Sequence, residues 1–192
     1  MRIMDLKELE KECSSCKKCP LYEGRNNVVF GQGNENASIL FIGEGPGEQE
    51  DLSGVPFVGK SGQLFDKMLE AVELTRDEIY IANIIKCRPP GNRNPKPEEA
   101  KICIDYLYSQ IDLIKPTIIV CLGKVASEYI IHDDFKITAE RGQWSQKGNC
   151  HYIATYHPSY LLRSPNKKAE AWLDFKEIKH ADKFLNKEDG SN

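Results

Sequence analysis

Cysteines are the residues of this chain whose type and spacing most directly indicate chemistry. Cys16 and Cys19 form a Cys-x-x-Cys pair, and Cys87 and Cys103 follow far downstream. Such a pair presents two thiolates about one helical turn apart, which suits a tetrahedral metal or an iron–sulfur cluster. The four cysteines together predict a four-thiolate site that joins the N-terminal segment to the middle of the chain.

The residues alone leave the ligating pair and the metal open. Cys13, Cys16 and Cys19 are equally spaced, so the pair can be Cys13 with Cys16 or Cys16 with Cys19. Zinc and iron both accept four thiolates. Cys121 lies within an apolar run, where we expect a small buried side chain, and Cys150 flanks the last such run.

Three further polar residues stand where predicted strands end. Glu44, Asn83 and His157 each follow a short apolar run, and a fourth run ends at Gly123. In open parallel sheets, ligands bind beyond the carboxyl ends of the strands. We therefore expect a carboxylate, an amide and an imidazole to meet at one edge of a sheet.

The elements that must position these groups are four apolar, β-branched runs at 38–43, 79–84, 117–122 and 151–156. Runs that are apolar on both faces indicate strands buried on both sides, as in a parallel sheet. Helical patterns lie between them. This alternation predicts an α/β fold, a three-layer α/β/α sandwich with a four-stranded parallel sheet.

The helical patterns have recognisable starts. Ser61 is predicted to cap a helix with an apolar stripe from Leu64 to Val72. Pro97, with acidic residues after it, predicts the start of a helix that contains Cys103. Two more helices are expected near 124–131 and 169–185.

Length and composition indicate one domain. The chain has 192 residues, of which 40% are apolar and 29% charged, enough for a full core. We expect residues 1–185 to form this domain and residues 186–192 to be a frayed tail. No apolar run approaches the roughly 20 residues that span a bilayer, and residues 1–8 lack the apolar core of a secretory signal.

We therefore expect a cytoplasmic protein with no membrane partner. Stable disulfides are uncommon in the cytoplasm, so the seven cysteines favour metal ligation. The net charge of −3 does not point to nucleic-acid binding, and any such surface must be a local basic patch.

The glycine-rich segment 43–47 does not match a nucleotide-binding motif. It lacks the Gly-Lys-Ser/Thr ending of a P-loop, and Glu48 stands where Gly-x-Gly-x-x-Gly needs its third glycine. Its acidic residues would repel a phosphate. We interpret the segment as a rigid turn that holds Glu44 against a ligand; the alternative is an ordinary strand-to-helix turn.

Taken together, these segments resemble the uracil-DNA glycosylase superfamily, specifically its iron–sulfur-containing family 4 enzymes. The resemblance runs from about Cys16 to Asp174, and the order and number of the motifs make it specific. The matching stretches are CKKCPL at 16–21, VVFGQG at 28–33, GEGPGEQED at 43–51, PFVGKSG at 56–62, NIIKCRPP at 83–90 and YHPSYLLR at 156–163.

The resemblance implies an enzyme that flips uracil out of DNA and hydrolyses its N-glycosidic bond, which leaves an abasic site and initiates base excision repair. By this resemblance, Glu44 would orient water and stabilise the cationic sugar. His157 would stabilise the leaving uracil anion at a carbonyl oxygen.

The resemblance also assigns the base pocket. Asn83 would pair with N3–H and O4 of uracil, since an amide offers both an acceptor and a donor. Phe57 would stack on the base, and Glu50 would sit near C5, where it would exclude the thymine methyl group. The backbone of Glu44 and Gly45 would complete the pocket.

For DNA, the resemblance implies a loop after His157 that fills the gap left by the flipped base. Its contact residues would be Tyr160, Leu161, Leu162 and Arg163, in which apolar side chains wedge into the stack and a basic one holds a phosphate. A basic stretch beside Cys87, with Lys86, Arg88 and Arg93 among its members, is a second candidate. A solvated surface is the alternative for both.

For the cofactor, the resemblance favours a 4Fe–4S cluster held by Cys16, Cys19, Cys87 and Cys103, with Cys13 set aside. The cluster would be structural.

The expected partner is uracil-containing DNA, single- or double-stranded, and the expected oligomeric state is a monomer. We also expect turnover without covalent trapping of DNA, because none of the four histidines lies in a loop of the trapping type.

Two other functions remain as alternatives to the glycosylase. The cysteines alone would permit an electron carrier, which leaves the three polar residues at the strand ends unexplained. The glycine-rich turn alone would permit a nucleotide-binding protein.

Overall fold

The computed structural model describes residues 5–189, with side chains up to residue 186. Its strands are β1 Gln32–Gly33, β2 Ile39–Gly43, β3 Tyr80–Asn83, β4 Ile118–Leu122, β5 Ser145–Lys147 and β6 Cys150–Thr155. Its α-helices are α1 Leu6–Ser14, α2 Glu48–Ser53, α3 Lys60–Glu70, α4 Pro97–Ile114, α5 Lys124–Ile130, α6 Ile137–Glu140, α7 Pro158–Arg163 and α8 Lys168–Asp189. Single 3₁₀ turns occur at Pro20–Glu23, Pro90–Asn92 and Pro165–Lys167.

The strands described form one mixed sheet in the order β1-β3-β2-β4-β6-β5. The four central strands are the predicted ones, and they are mutually parallel. The prediction of a four-stranded sheet is wrong in one detail, because a short antiparallel strand is added at each edge. Both edge strands are polar and exposed, so they lack the apolar run that identifies a buried strand.

The central strands bury both faces, which makes the predicted three layers. In β2, Leu40 and Ile42 pack into one hydrophobic cluster, and Ile39 and Phe41 pack into another on the opposite face. The first cluster includes side chains of α1, α4 and α5, and the second includes side chains of α3 and α8. Alternation along a strand sends successive side chains to opposite faces, so each strand serves both layers.

Two predicted helix features differ from the structure. Helix α3 begins one residue before Ser61, and Gly59 is its N-cap, so the prediction that Ser61 caps it is wrong. Helix α8 continues to Asp189, so the predicted tail starts inside a helix; residues 190–192 lie outside the described residues. The predicted start of α4 is confirmed, with Pro97 in its first turn and Glu99 accepting the Lys96 N–H at 2.8 Å.

The strand register aligns the ends that carry the polar residues. Gly43 pairs with Asn83 at the end of β2 and β3, and Leu122 pairs with Thr155 at the end of β4 and β6. The chain crosses from one side of β2 to the other between β3 and β4. Such a switch point opens a crevice at the carboxyl ends of the strands.

No helix within residues 5–189 is both long and apolar enough to cross a membrane.

Candidate active site and cysteine centre

The carboxyl ends of the central strands open into a cleft of about 670 Å³. It contains every residue that sequence analysis assigned to catalysis or base binding. Tyr160 and Arg163 of the segment predicted to contact DNA also line it. The assigned lining residues are Glu44, Gly45, Glu50, Phe57, Asn83 and His157.

Asn83 lines this cleft and carries an unused acceptor. The residue is 2% exposed, and its Oδ1 atom has no hydrogen-bond partner among the described residues. Buried polar atoms without partners are rare in folded proteins, because desolvation costs about 1–3 kcal/mol for each one. An Asn83 side chain held in this way is prepared for a ligand that donates a hydrogen bond.

Phe57 lies on a loop whose backbone is held by two charged side chains. Its φ of 53° is left-handed, which is uncommon for a residue with a side chain. Glu50 Oε1 accepts the N–H groups of Val58 and Gly59, each at 2.9 Å. Arg76 donates to the carbonyl oxygens of Pro56, at 2.9 Å, and of Phe57. These bonds fix the loop in a conformation that it would not adopt alone.

The Phe57 ring packs between the core and the cleft. Its centroid lies 5.2 Å from that of Phe65 and 5.6 Å from the imidazole of His157. Gly43 and Gly62 permit this position: a Cβ atom on Gly43 would crowd the Phe57 ring and Asn83 Oδ1, and one on Gly62 would overlap the Phe57 carbonyl. The aromatic ring thus forms a fixed wall beside Asn83.

The hydrogen bonds of His157 determine which ring nitrogen carries the proton. Its Nδ1 accepts the backbone N–H of Ser159 at 3.0 Å and lies 2.7 Å from the Ser159 hydroxyl. A nitrogen that accepts an N–H is unprotonated, so the neutral ring carries its hydrogen on Nε2. Burial, assisted by Arg163 and opposed by Glu50, lowers the pKa of His157 to about 4. At neutral pH the residue is therefore an uncharged N–H donor.

Glu44 has the opposite electrostatic character. The residue is half-buried at the turn after β2, and burial raises the pKa of its carboxyl above the ordinary value. Its backbone carbonyl accepts the N–H of Ile85 at 3.2 Å, which extends the pairing of β2 and β3 beyond the strand ends. The carboxyl group is thus held in a poorly solvated place that disfavours its charge, with its backbone fixed.

A polar network braces the end of β6 from behind the cleft. Thr155 donates to Asp174 at 2.7 Å, and Asp174 accepts from Arg141 at 2.6 Å. Tyr156 donates to Glu170 at 3.0 Å, and Arg141 reaches the same carboxylate at 3.1 Å. The strand that leads to His157 is therefore tied to helix α8.

The segment predicted to contact DNA is helix α7 rather than a loop. Leu161 is 0% exposed and packs with Tyr156 and Ala171, so the prediction that it contacts DNA is wrong. Leu162 is 43% exposed, and Arg163 is also exposed. The helical period turns one leucine inward and its neighbour outward, which the run of apolar residues did not reveal.

The basic stretch beside Cys87 is also partly contradicted. Lys86 is 1% exposed and cannot contact a phosphate. Arg93 forms a two-bonded ion pair with Glu99, at 2.9 and 2.7 Å, which neutralises much of its charge. Arg88 is half-buried and donates to Asn92 at 2.7 Å.

Sequence analysis missed three contributors to the cleft. Lys60 and Lys124 line it, and each is exposed at the first residue of a helix. A Gly-Lys step at the start of a helix was the available signal. Ser159 was quoted within a motif, but its role in fixing the His157 tautomer follows from its N–H position.

The cysteines meet at a second cavity, between α1, α4 and the segment around Cys87. Arg25 donates to Cys87 Sγ, and the Lys86 N–H donates to Cys103 Sγ, each at 3.3 Å. The Tyr106 hydroxyl is buried at this cavity without a partner among the described residues. The cavity is lined by Cys13, Cys16, Cys19, Cys87 and Cys103.

These features fit a thiolate-ligated centre. Hydrogen bonds from N–H groups to sulfur are a usual part of the surroundings of iron–sulfur clusters. Within residues 5–189, no group of three or more His, Cys, Asp or Glu side chains is arranged to hold a single metal ion. Cys13 is buried in α1 and lines the same cavity, so proximity does not separate it from the other four. Cys121 is buried in β4 and Cys150 begins β6, as predicted.

Comparison with known proteins identifies relatives over most of the chain. A model of the uracil DNA glycosylase superfamily matches residues 30–176. The chain is 43% identical to the Type-4 uracil-DNA glycosylase of Archaeoglobus fulgidus over 183 residues, which cover 90% of this chain and 91% of that protein. It is 41% identical to the Type-4 uracil-DNA glycosylase of Thermotoga maritima, over 96% of this chain and 97% of that protein.

Proposed function

The chain belongs to the uracil DNA glycosylase superfamily, and from this premise we propose that its cleft removes uracil from DNA by hydrolysing the N-glycosidic bond. The protein is a DNA glycosylase, and its product is an abasic site, which initiates base excision repair. The observation that carries the assignment of the cleft is the unpartnered Asn83 Oδ1, because uracil supplies the missing donor.

Uracil fits the groups around Asn83. Its N3–H would donate to Oδ1, and its O4 would accept from the amide nitrogen, whereas cytosine presents the reverse pattern. A base must leave the stack to reach this pocket, at a cost of a few kcal/mol. Phe57 offers the face on which the flipped base would stack, and Gly45 lies at the pocket wall.

His157 would act on the leaving group. Its Nε2–H would donate to the uracil carbonyl oxygen on which negative charge develops as the bond breaks. A donor that is fixed before the reaction stabilises such charge without reorganisation. The bonds from Ser159 to Nδ1 support this role, because they keep the donor hydrogen on the nitrogen that is free for the base.

Glu44 would act on the sugar. Its carboxylate would orient the attacking water and stabilise the positive charge that develops at C1′. The poorly solvated position strengthens this interaction, because electrostatic attraction grows as water is excluded. Glu50 would lie near C5 of the base, and its bonds to the Phe57 loop give it a second role in holding the stacking platform.

The exposed positive groups around the cleft would hold the DNA backbone. Lys60, Lys124 and Arg163 are exposed at its walls, where they would contact phosphates. Tyr160 and Leu162 would occupy the gap left by the flipped base. Single- or double-stranded DNA can be the substrate in this scheme, and the monomer stays a prediction.

For the cofactor, we propose a 4Fe–4S cluster held by Cys16, Cys19, Cys87 and Cys103. In a cluster each thiolate binds a different iron, so its ligands need not meet at one point as zinc ligands do. Five cysteines that line one cavity, with N–H groups directed at two of the sulfur atoms, support a thiolate-ligated centre, and the resemblance to the family favours the cluster over zinc. The cluster would cross-link the segment after α1 to β3 and α4, and it has no part in the chemical steps above.

The test is release of uracil from an oligonucleotide, measured for the wild type and for Asn83→Ala. We expect the wild type to release uracil, detected as strand cleavage at the abasic site after treatment with alkali. For the variant we expect a loss of roughly 100-fold or more in kcat/KM, because a site built to bond a polar group depends on that bond. Asn36→Ala, an exposed asparagine outside the cleft, is the matched control. No release of uracil by wild type that carries its full iron content would contradict the proposal.

A further inference from the structure

Lys86 is a fully buried lysine that lies between the two sites. It follows Asn83 at the end of β3 and directly precedes Cys87. Lysine is almost never fully buried unless it is paired, yet the Lys86 ammonium forms no ion pair with a carboxylate among the described residues. A charge in such a place costs stability unless the surroundings need it.

The side chain of Lys86 forms a hydrogen bond with the end of β3, the strand that carries Asn83. Its Nζ donates to the backbone carbonyl of Asn83 at 3.0 Å and to Gln110 Oε1 at 2.6 Å. Gln110 in turn donates to the carbonyl of Phe30 at 2.9 Å. These bonds form a chain from the Asn83 carbonyl through Lys86 and Gln110 to the Phe30 carbonyl.

The backbone of Lys86 binds the cysteine site. Its N–H donates to Cys103 Sγ at 3.3 Å, and its carbonyl accepts the N–H of Val29 at 2.8 Å. Cys103 and Gln110 lie on the same helix, α4, about two turns apart and on one face. One residue therefore contacts the thiolate centre through its main chain and the base pocket through its side chain.

Among the described residues, no hydrogen bond to Oδ1 holds the Asn83 side chain. Its Oδ1 is unpartnered, so the direction of the amide depends on the backbone that carries it. That backbone is held at Ile84, whose N–H donates to Gly43 at 3.0 Å, and at the Asn83 carbonyl by Lys86. Removing the ammonium would release the second of these restraints.

We propose that Lys86 is a positioning residue that couples the thiolate centre to base recognition by Asn83. The Lys86 side chain holds the Asn83 carbonyl, and the backbone N–H of the same residue holds Cys103 Sγ. This inference rests on the proposed function, because the amide that is positioned is the one proposed to bind uracil.

The test is a double-mutant cycle between Lys86→Met and Asn83→Ala. Methionine keeps the length and apolar body of the side chain and removes the charge. Because coupled residues are not additive, we expect Lys86→Met to lower kcat/KM for uracil-containing DNA by at least about 10-fold in the wild type. In the Asn83→Ala background we expect it to change kcat/KM by less than about 2-fold.

A second readout separates positioning from loss of structure. The inhibition constant of free uracil should rise for Lys86→Met, while iron per protein and the absorbance of the iron–thiolate band stay at wild-type values. Lys67→Met, at an exposed lysine on α3, makes the same chemical change at the surface and should leave all of these quantities unchanged. If Lys86→Met does not fold, Lys86→Leu, which also removes the ammonium, is measured in the same cycle with the same expectation.

The possible outcomes are distinguishable. Equal losses for Lys86→Met in the two backgrounds, or an unchanged inhibition constant, overturn the inference and leave the proposed function standing. Absence of uracil release by the wild type in the same assay overturns the proposed function instead.

Discussion

At the scale of single residues, the cleft shifts the pKa values of two titratable groups in opposite directions for one physical cause. Burial disfavours the charged form of any group, so it raises the pKa of Glu44 and lowers that of His157. The imidazole stays neutral at any pH near 7. Because burial raises the pKa of Glu44, the carboxylate loses its charge on acidification at a higher pH than an ordinary carboxyl does.

Glu44→Gln should remove most of the activity and also the acid limb of its pH profile. The folded pKa of Glu44 lies above the ordinary value of 4.5, so kcat/KM of the wild type should fall as the pH drops through that raised value. The variant has no charge to lose. We expect its kcat/KM to be lower by about 100- to 10,000-fold and to show no step in this range.

The same substitution should raise the stability at neutral pH. A group whose folded pKa is raised stabilises the protein below its unfolded pKa, and this stability is lost as the pH rises through the folded pKa. At pH 7 the free energy of unfolding of the wild type is therefore lower than that of Glu44→Gln, whose side chain is neutral at every pH. The unfolding temperature of Glu44→Gln should exceed that of the wild type at pH 7 and converge with it at acid pH. Glu70→Gln, at an exposed residue, should show no such convergence.

At the scale of elements, the position of the Phe57 ring depends on contact between the loop that carries it and the first turn of α3. Gly62 lies in that turn, directly against the Phe57 carbonyl. Within most helices, replacing glycine by alanine adds up to about 1 kcal/mol of stability. Here the methyl group would meet backbone that cannot rotate away.

Gly62→Ala should therefore destabilise the protein, by roughly 1–3 kcal/mol as for other overpacked sites. The displaced Phe57 loop should also raise KM for uracil-containing DNA. Chemical denaturation and steady-state kinetics measure the two effects. Gly24→Ala is the control, because its Cβ atom would meet nothing within 4 Å. Unchanged stability and KM in Gly62→Ala would show that the loop is held elsewhere.

Elements were predictable from sequence where one physical signal dominated. The four central strands are apolar on both faces, and their positions followed from that alone. The edge strands have exposed polar residues, although Gly148-Asn149 between Lys147 and Cys150 was a usable turn signal for the second of them.

The site was predictable as a set of residues but not as a set of contacts. Strand ends located Glu44, Asn83 and His157, since topology brings such ends together. Burial of particular side chains depends on packing between distant elements, so neither the inward turn of Leu161 nor the burial of Lys86 could be obtained from local sequence. The charge of Lys86 suggested a surface, and tertiary contacts overrode it.

At the scale of the whole molecule, the cysteine centre joins segments that the sheet does not connect. The segment that follows α1 lies against α4 and the segment around Cys87 at the cysteine cavity, where Arg25 donates to the Cys16 carbonyl at 2.8 Å and to Cys87 Sγ. Metal binding to such a site adds its free energy to folding.

Cys16→Ser should lose iron and lower the unfolding temperature, whereas Cys13→Ser should keep the iron content of the wild type. The reason is the proposed ligand set, in which Cys13 is a buried helix residue beside the centre. Iron per protein and calorimetry measure the two effects. Retention of full iron by Cys16→Ser together with loss by Cys13→Ser would reverse the assignment of the pair.

The sheet edges have a consequence for how the protein behaves in concentrated solution. Gln32–Gly33 and Ser145–Lys147 are short and exposed, and the second ends in a lysine. An edge of two or three polar residues gives an incoming chain too few backbone groups to extend the sheet. We therefore expect folded molecules not to aggregate by pairing of their sheet edges. Aggregation on storage or heating should then require prior unfolding.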